Sequence, residues 1–76
     1  PGWRTDRGEV YVNLGPPDEV VENTPGTTAN RILRWSYINL RLELFFRDES
    51  GFGRLRLLPT SRADYERTLA RLRRQS

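Results

Sequence analysis

From Arg31 to Leu57, apolar side chains recur at every second position: Leu33, Trp35 and Tyr37, then Leu40, Leu42, Leu44 and Phe46, then Leu55 and Leu57. Between them stand Arg34, Arg41, Glu43, Phe45, Arg47, Arg54 and Arg56. A period of two is the signature of strands with one buried face, and a helix would scatter these apolar groups around its axis. The run therefore predicts antiparallel strands, with a tight turn near Asn39 and a glycine-containing hairpin loop over DESGFG at 48–53. Pairing Phe46 with Leu55 keeps the apolar sides together, and that register sets Arg47 beside Arg54 and Phe45 beside Arg56. Trp35 and Tyr37 read as core residues, because strand spacing explains them without a ligand.

The flanking segments complete the expected architecture. EVYVNL at 9–14 alternates Val10, Val12 and Leu14 with Tyr11 and Asn13 and reads as the first strand. Pro16 and Pro17 then stop any ladder. DEVVEN at 18–23 fits a short edge strand or a helical turn, and TPGTTAN at 24–30 reads as a loop. Pro59 ends the sheet, and Ser61 with Asp64 resembles a capping box opening a helix that runs to about Arg74. Tyr65, Leu69 and Leu72 form its apolar stripe, and Arg71, Arg73 and Arg74 lie where the helix dipole favours cations. The expected fold class is α+β, a small antiparallel β-meander of about four strands with one C-terminal α-helix packed on one face.

Length allows one domain over residues 1–76, near the size at which folding buries only about 60% of the unfolded surface. A chain that begins at Pro1 directly against a motif reads as a piece excised from something longer, and no signal peptide is expected within it. Without cysteine, histidine or methionine there is no thiol nucleophile, no thiolate metal site and no group titrating near neutrality. The carboxylates Asp6, Asp18, Glu19 and Glu22 form no catalytic motif, and Asp18 after two prolines suits a turn or cap. DESG lacks the further oxygen ligands that calcium needs. These residues argue for a non-enzymatic protein with no cofactor and no metal. No run is long and apolar enough to span a membrane.

All thirteen basic residues are arginine, and the net charge is +3. Codon bias accounts for such usage, as does selection for a planar fork that grips carboxylates and phosphates. One helix cannot cover both sides of a sheet. The face carrying Arg34, Arg41, Phe45, Arg47, Arg54 and Arg56 should therefore be open, as a solvated antiparallel face or as a docking surface for an acidic partner. A second reading compares SGFGRLRL at 50–57 and VYVNLGPPD at 10–18 with the two stacking strands of RNA-recognition motifs, so that Tyr11 and Phe52 would stack on single-stranded RNA. Arg54 stands where that motif has an aromatic, the earlier strand is one residue short, and residues 15–31 carry three prolines where a helix is required. Nucleic acid is accordingly not the expected partner. A protein partner or other domains of the parent chain are.

The opening GWRTDRG concentrates glycine, tryptophan, hydroxyl, carboxylate and guanidinium groups before the first apolar run. It reads as a structural latch. Gly2 and Gly8 permit close approach, and Trp3 caps an end of the small core. Thr5 and Asp6 accept backbone N–H groups of the turn into the first strand, and Arg7 pairs with Asp6 or with the acids of GPPDE. Pro16, Pro17 and Asp18 belong to the same latch.

GWRTD at 2–6, RG at 7–8, VYV at 10–12, GPPDEV at 15–20, WSY at 35–37 and FFRDESGFGRLRL at 45–57 together resemble the GWxTD domain, a bacterial family. The likeness covers residues 2 to about 58 and leaves the C-terminal helix outside. It implies a module of a larger protein exported to the periplasm or cell envelope, acting by protein or polymer contacts. It supplies no catalytic residue.

Overall fold

The period-two run folds as the sheet it predicts. The structure, a computed structural model, describes residues 5–23, 31–48 and 54–75. Its elements are α1 (Asp6–Leu14), β1 (Glu19–Asn23), β2 (Arg31–Tyr37), β3 (Leu42–Asp48), β4 (Leu55–Leu57) and α2 (Pro59–Gln75). The four strands form one antiparallel sheet in the order β1-β2-β3-β4. This is the α+β meander with a C-terminal helix, with a short N-terminal helix added.

Residues 9–14 are the main departure, lying in helix α1 where a strand was expected. Val10 and Leu14 satisfy a spacing of two and also the i, i+4 spacing of one helix face. Val10 is buried and Leu14 packs on the core, whereas Val12, which only a strand would bury, is 71% exposed. The ends decide the contest. Thr5 is the N-cap, its hydroxyl accepting the Gly8 N–H at 3.0 Å, and Asp6 and Glu9 place negative charge in the first turn. Gly15, at φ +80, closes the helix by donating its N–H to the Tyr11 carbonyl, and Pro16 prevents continuation. DEVVEN, open in the sequence, supplies β1 from Glu19 onward.

Register corrects a second expectation. Phe46 pairs with Leu57, Arg47 with Arg56 and Asp48 with Leu55, two residues away from the Phe46–Leu55 pairing. A two-residue slip keeps every side chain on its face, so alternation alone cannot distinguish the two. Arg54 precedes β4 and has no strand partner, and Phe45 lies opposite Arg34 of β2. Asp48 belongs to β3 and is buried, where a loop position was expected. Leu40 sits in the turn closed by the Arg41 N–H on the Ile38 carbonyl and still packs against the core. Residues 24–30 and 49–53, read as loops, lie outside the described residues, as does Phe52.

The helix α2 begins at Pro59, two residues before Ser61. Proline suits a first helical position because its missing N–H would have no intrahelical acceptor there. Ser61 is not a cap. Buried on the inner side of the helix, it accepts the Phe45 N–H at 3.0 Å, just where the short β4 runs out. From there to Arg71, which donates to the Leu40 carbonyl, the helix rises about 15 Å. Running back from Phe45, β3 covers about 10 Å to its start at Leu42, and Leu40 lies just beyond it in the turn. Helix and strand therefore lie side by side, with α2 in the place of a further strand.

The core gathers Val10, Leu33, Trp35, Tyr37, Leu42, Leu44, Phe46, Leu55, Leu57 and Tyr65, with Leu14, Leu40 and Leu69 at its margin. The Trp35 and Phe46 rings meet tilted, their centroids 5.0 Å apart. Burying each large side chain contributes about 1.5–3 kcal/mol. Both helices thus contribute to one face of the sheet.

Candidate functional site

The other face carries the second set of alternating residues. Arg34, Phe45 and Arg47 are half-buried, and Glu43 and Arg56 are exposed. Arg47 and Arg56 stand directly opposite each other on β3 and β4. Arg34 is already engaged, reaching Glu19 of β1 at 3.2 Å and Glu43 of β3 at 3.7 Å. Glu19 and Glu43 flank Ser36 from either side, so one guanidinium bridges two carboxylates across three strands. Exposed pairs of this kind contribute up to about 1 kcal/mol each. Arg34 is therefore an organiser of the face more than a free cation.

Where the face meets α2, an open groove of about 660 Å³ is lined by Arg41, Glu43 and Phe45 on the sheet side and by Asp64, Arg67, Arg71 and Arg74 on the helix side. Leu40, Leu42, Thr68 and Ala70 complete it. Arg67 pairs with Asp64 one helical turn earlier. Arg71 donates to a backbone carbonyl, and Arg41 and Arg74 have no ion pair among the described residues. Of the expected docking residues, the structure brings Arg41 and Phe45 into this groove and leaves Arg47 and Arg56 outside its lining, paired across β3 and β4. Arg54 is exposed at the entry to β4. Sequence reading missed Arg67, Arg71 and Arg74 as site residues. Their i, i+4, i+7 spacing was a usable signal, since it aligns them on one helix face.

The described latch residues act differently from expectation. Thr5 accepts an N–H of its own helix, not of a turn into a strand. Asp6 accepts the Leu57 N–H at 2.8 Å and faces Arg62 at 3.3 Å, while Glu9 reaches the same arginine at 3.5 Å. Arg62, not Arg7, is the partner of Asp6, and Arg7 has no ion pair among the described residues. Gly8 is an ordinary helical residue. Pro16 is exposed and Pro17 half-buried between α1 and β1. Asp18 accepts the Ile38 N–H at 2.7 Å, tying the start of β1 to the β2–β3 turn. Gly2 and Trp3 lie outside the described residues.

A polar seam joins α1 to the rest. Tyr37 donates to the Gly15 carbonyl at 2.9 Å, and Asn13 donates to the Tyr65 hydroxyl at 2.8 Å. Burial, followed by Tyr65, Asp18 and Tyr11, pushes the Tyr37 phenol up to about 12. Tyr65 is also raised, first by burial, with the Asn13 hydrogen bond working the other way. Both tyrosines are thus neutral structural groups at physiological pH.

Among the described residues no three histidine, cysteine, aspartate or glutamate side chains gather as metal ligands, and no helix is long and apolar enough to cross a membrane. Residues 10–14, which the RNA-recognition reading takes as a strand, lie in α1, and residues 19–23, within its required helix, are strand β1. Tyr11 sits on α1 and not on the sheet. Compared with protein-family models, curated proteins and solved structures, the chain matches none.

Proposed function

We propose that this chain is a non-enzymatic docking module of a larger bacterial envelope-associated protein, binding a protein or polymer partner through the arginine side of its sheet. The observation that carries the reading is the division of the sheet. Val10, Leu14, Tyr65 and Leu69 of the helices pack on one face, while the opposite face presents Phe45, Arg47 and Arg56 with Arg41 at its border. Arginine and aromatic groups on a face that neither described helix covers have the composition enriched in interface hot spots. The envelope location and the place within a larger protein are supported by the likeness of GWRTDRG and GPPDE to the GWxTD domain.

The test is a charge reversal, Arg47→Glu with Arg56→Glu. The reading expects the variant to keep its circular dichroism spectrum and lose the partner that the wild type retains on affinity purification from cell-envelope extracts. A variant that stays folded and retains every wild-type partner refutes it.

A further inference from the structure

We infer that the groove between β3 and α2 holds an extended, carboxylate-rich peptide segment with acidic side chains at alternate positions. The inference rests on the docking reading and names its ligand. On the helix wall, Arg67, Arg71 and Arg74 follow one another at about 6 and 4.5 Å along the axis. An extended peptide repeats its side chains on one side about every 6.5–7 Å. The first step comes close to that repeat and the second falls about 2 Å short of it, a difference the long arginine side chains span so that successive acids meet successive guanidiniums, with Arg41 on the opposite wall as a further cation. Guanidinium suits this role because its planar fork takes a carboxylate bidentately.

The same groove selects against a polyanion charged at every unit. Glu43 and Asp64 line it as well, so a nucleic acid or polyphosphate strand would bring phosphates against carboxylates. A peptide escapes that repulsion by placing neutral residues at those points. Leu40, Leu42, Phe45 and Ala70 give such residues an apolar floor. Two of the four groove arginines, Arg41 and Arg74, have no ion pair among the described residues, and Arg71 holds only a carbonyl. The surplus positive charge is what the ligand neutralises.

The probe is a fluorescein-labelled decapeptide of alternating glutamate and serine, titrated against the 76-residue chain by fluorescence anisotropy. Saturable binding that weakens with added salt is expected. Arg71→Ala with Arg74→Ala weakens it about tenfold, the loss of two partly exposed charge pairs. Asp64→Asn, which releases Arg67, tightens it. Arg7→Ala, on α1 and outside the groove lining, removes one positive charge and leaves it unchanged. Thermal melts of each variant confirm the fold, and if the double variant melts early, Arg74→Ala alone and Asp64→Asn decide. The inference is overturned if the groove variants bind the peptide like the wild type, or if a thymidine decanucleotide or inorganic polyphosphate binds more tightly. Loss of the partner in the sheet-face variant, with peptide affinity untouched by groove variants, keeps the docking face and removes the groove. The reverse pattern keeps the groove and removes the docking face.

Discussion

The Asp6 carboxylate accepts the backbone N–H of Leu57, a residue 51 positions later, at 2.8 Å. Leu57 pairs with β3 on one side, and this N–H faces away from that partner, where a further strand would otherwise bond. Asp6→Ala leaves the N–H without its acceptor and should cost about 1–3 kcal/mol in a denaturant titration. Arg62→Ala, which removes the half-buried charge partner of Asp6 and Glu9 and leaves the backbone bond in place, should cost less than about 1 kcal/mol. Equal losses would show that the ion pair, not the backbone bond, is what matters.

Ser61 performs the corresponding task for β3. Its hydroxyl, in a residue only 2% exposed, accepts the Phe45 N–H. Ser61→Ala should lower stability by about 1–3 kcal/mol although alanine is the better helix former. Amide hydrogen exchange should then quicken at Phe45 before it does so in β2.

Tyr37 gives the pH dependence. Its folded pKa, about 12, lies above the unfolded value of about 10, and the neutral phenol is the form that the fold favours. The stability it contributes is fully present below pH 10 and is lost as pH climbs from there toward 12. Melting temperature should fall across that window as tyrosinate absorbance appears, and Tyr37→Phe should flatten the fall. A decline of equal steepness in the phenylalanine variant would assign it to other groups.

The helical assignment of residues 6–14 makes opposite demands on two valines. Val12→Lys should change stability by less than about 0.5 kcal/mol, because the side chain is exposed. Val10→Ala removes fully buried methyl groups and should cost roughly 2 kcal/mol. Gly15→Ala, at φ +80 and ψ −169, should add a loss of about 1–3 kcal/mol through backbone strain. A strand here would make both valines matter equally.

What the sequence disclosed depended on how many positions vote for a period. In β2, β3 and β4 the apolar set runs through Leu33, Trp35, Tyr37, Leu42, Leu44, Phe46, Leu55 and Leu57, and chance agreement with another period is small. In α1 a nine-residue helix buries one residue, Val10, and only the pair Val10 and Leu14 fits either period. Only Thr5 and Gly15, its ends, separate the two. The β3–β4 register was illegible because a slip of two preserves the faces. As for the groove, Arg67, Arg71 and Arg74 look like any solvated helix face until α2 is known to lie beside β3. Asp6 bonding to Leu57 was beyond local patterning altogether, since no short-range rule links positions so distant.

The placement of α2 along β3, with α1 bonded to the outer side of β4, gives the sheet a polarity of growth. Asp6 and Ser61 occupy backbone donors at one border, and the helices behind them stand where another chain would have to enter. At the other border β1 has β2 as its only strand neighbour among the described residues. Among the described residues β1 is thus the strand edge left for joining, and β1 meeting β1 of a second copy is a two-fold contact that closes on itself. An assembly built that way terminates at two subunits and cannot run on into a fibre.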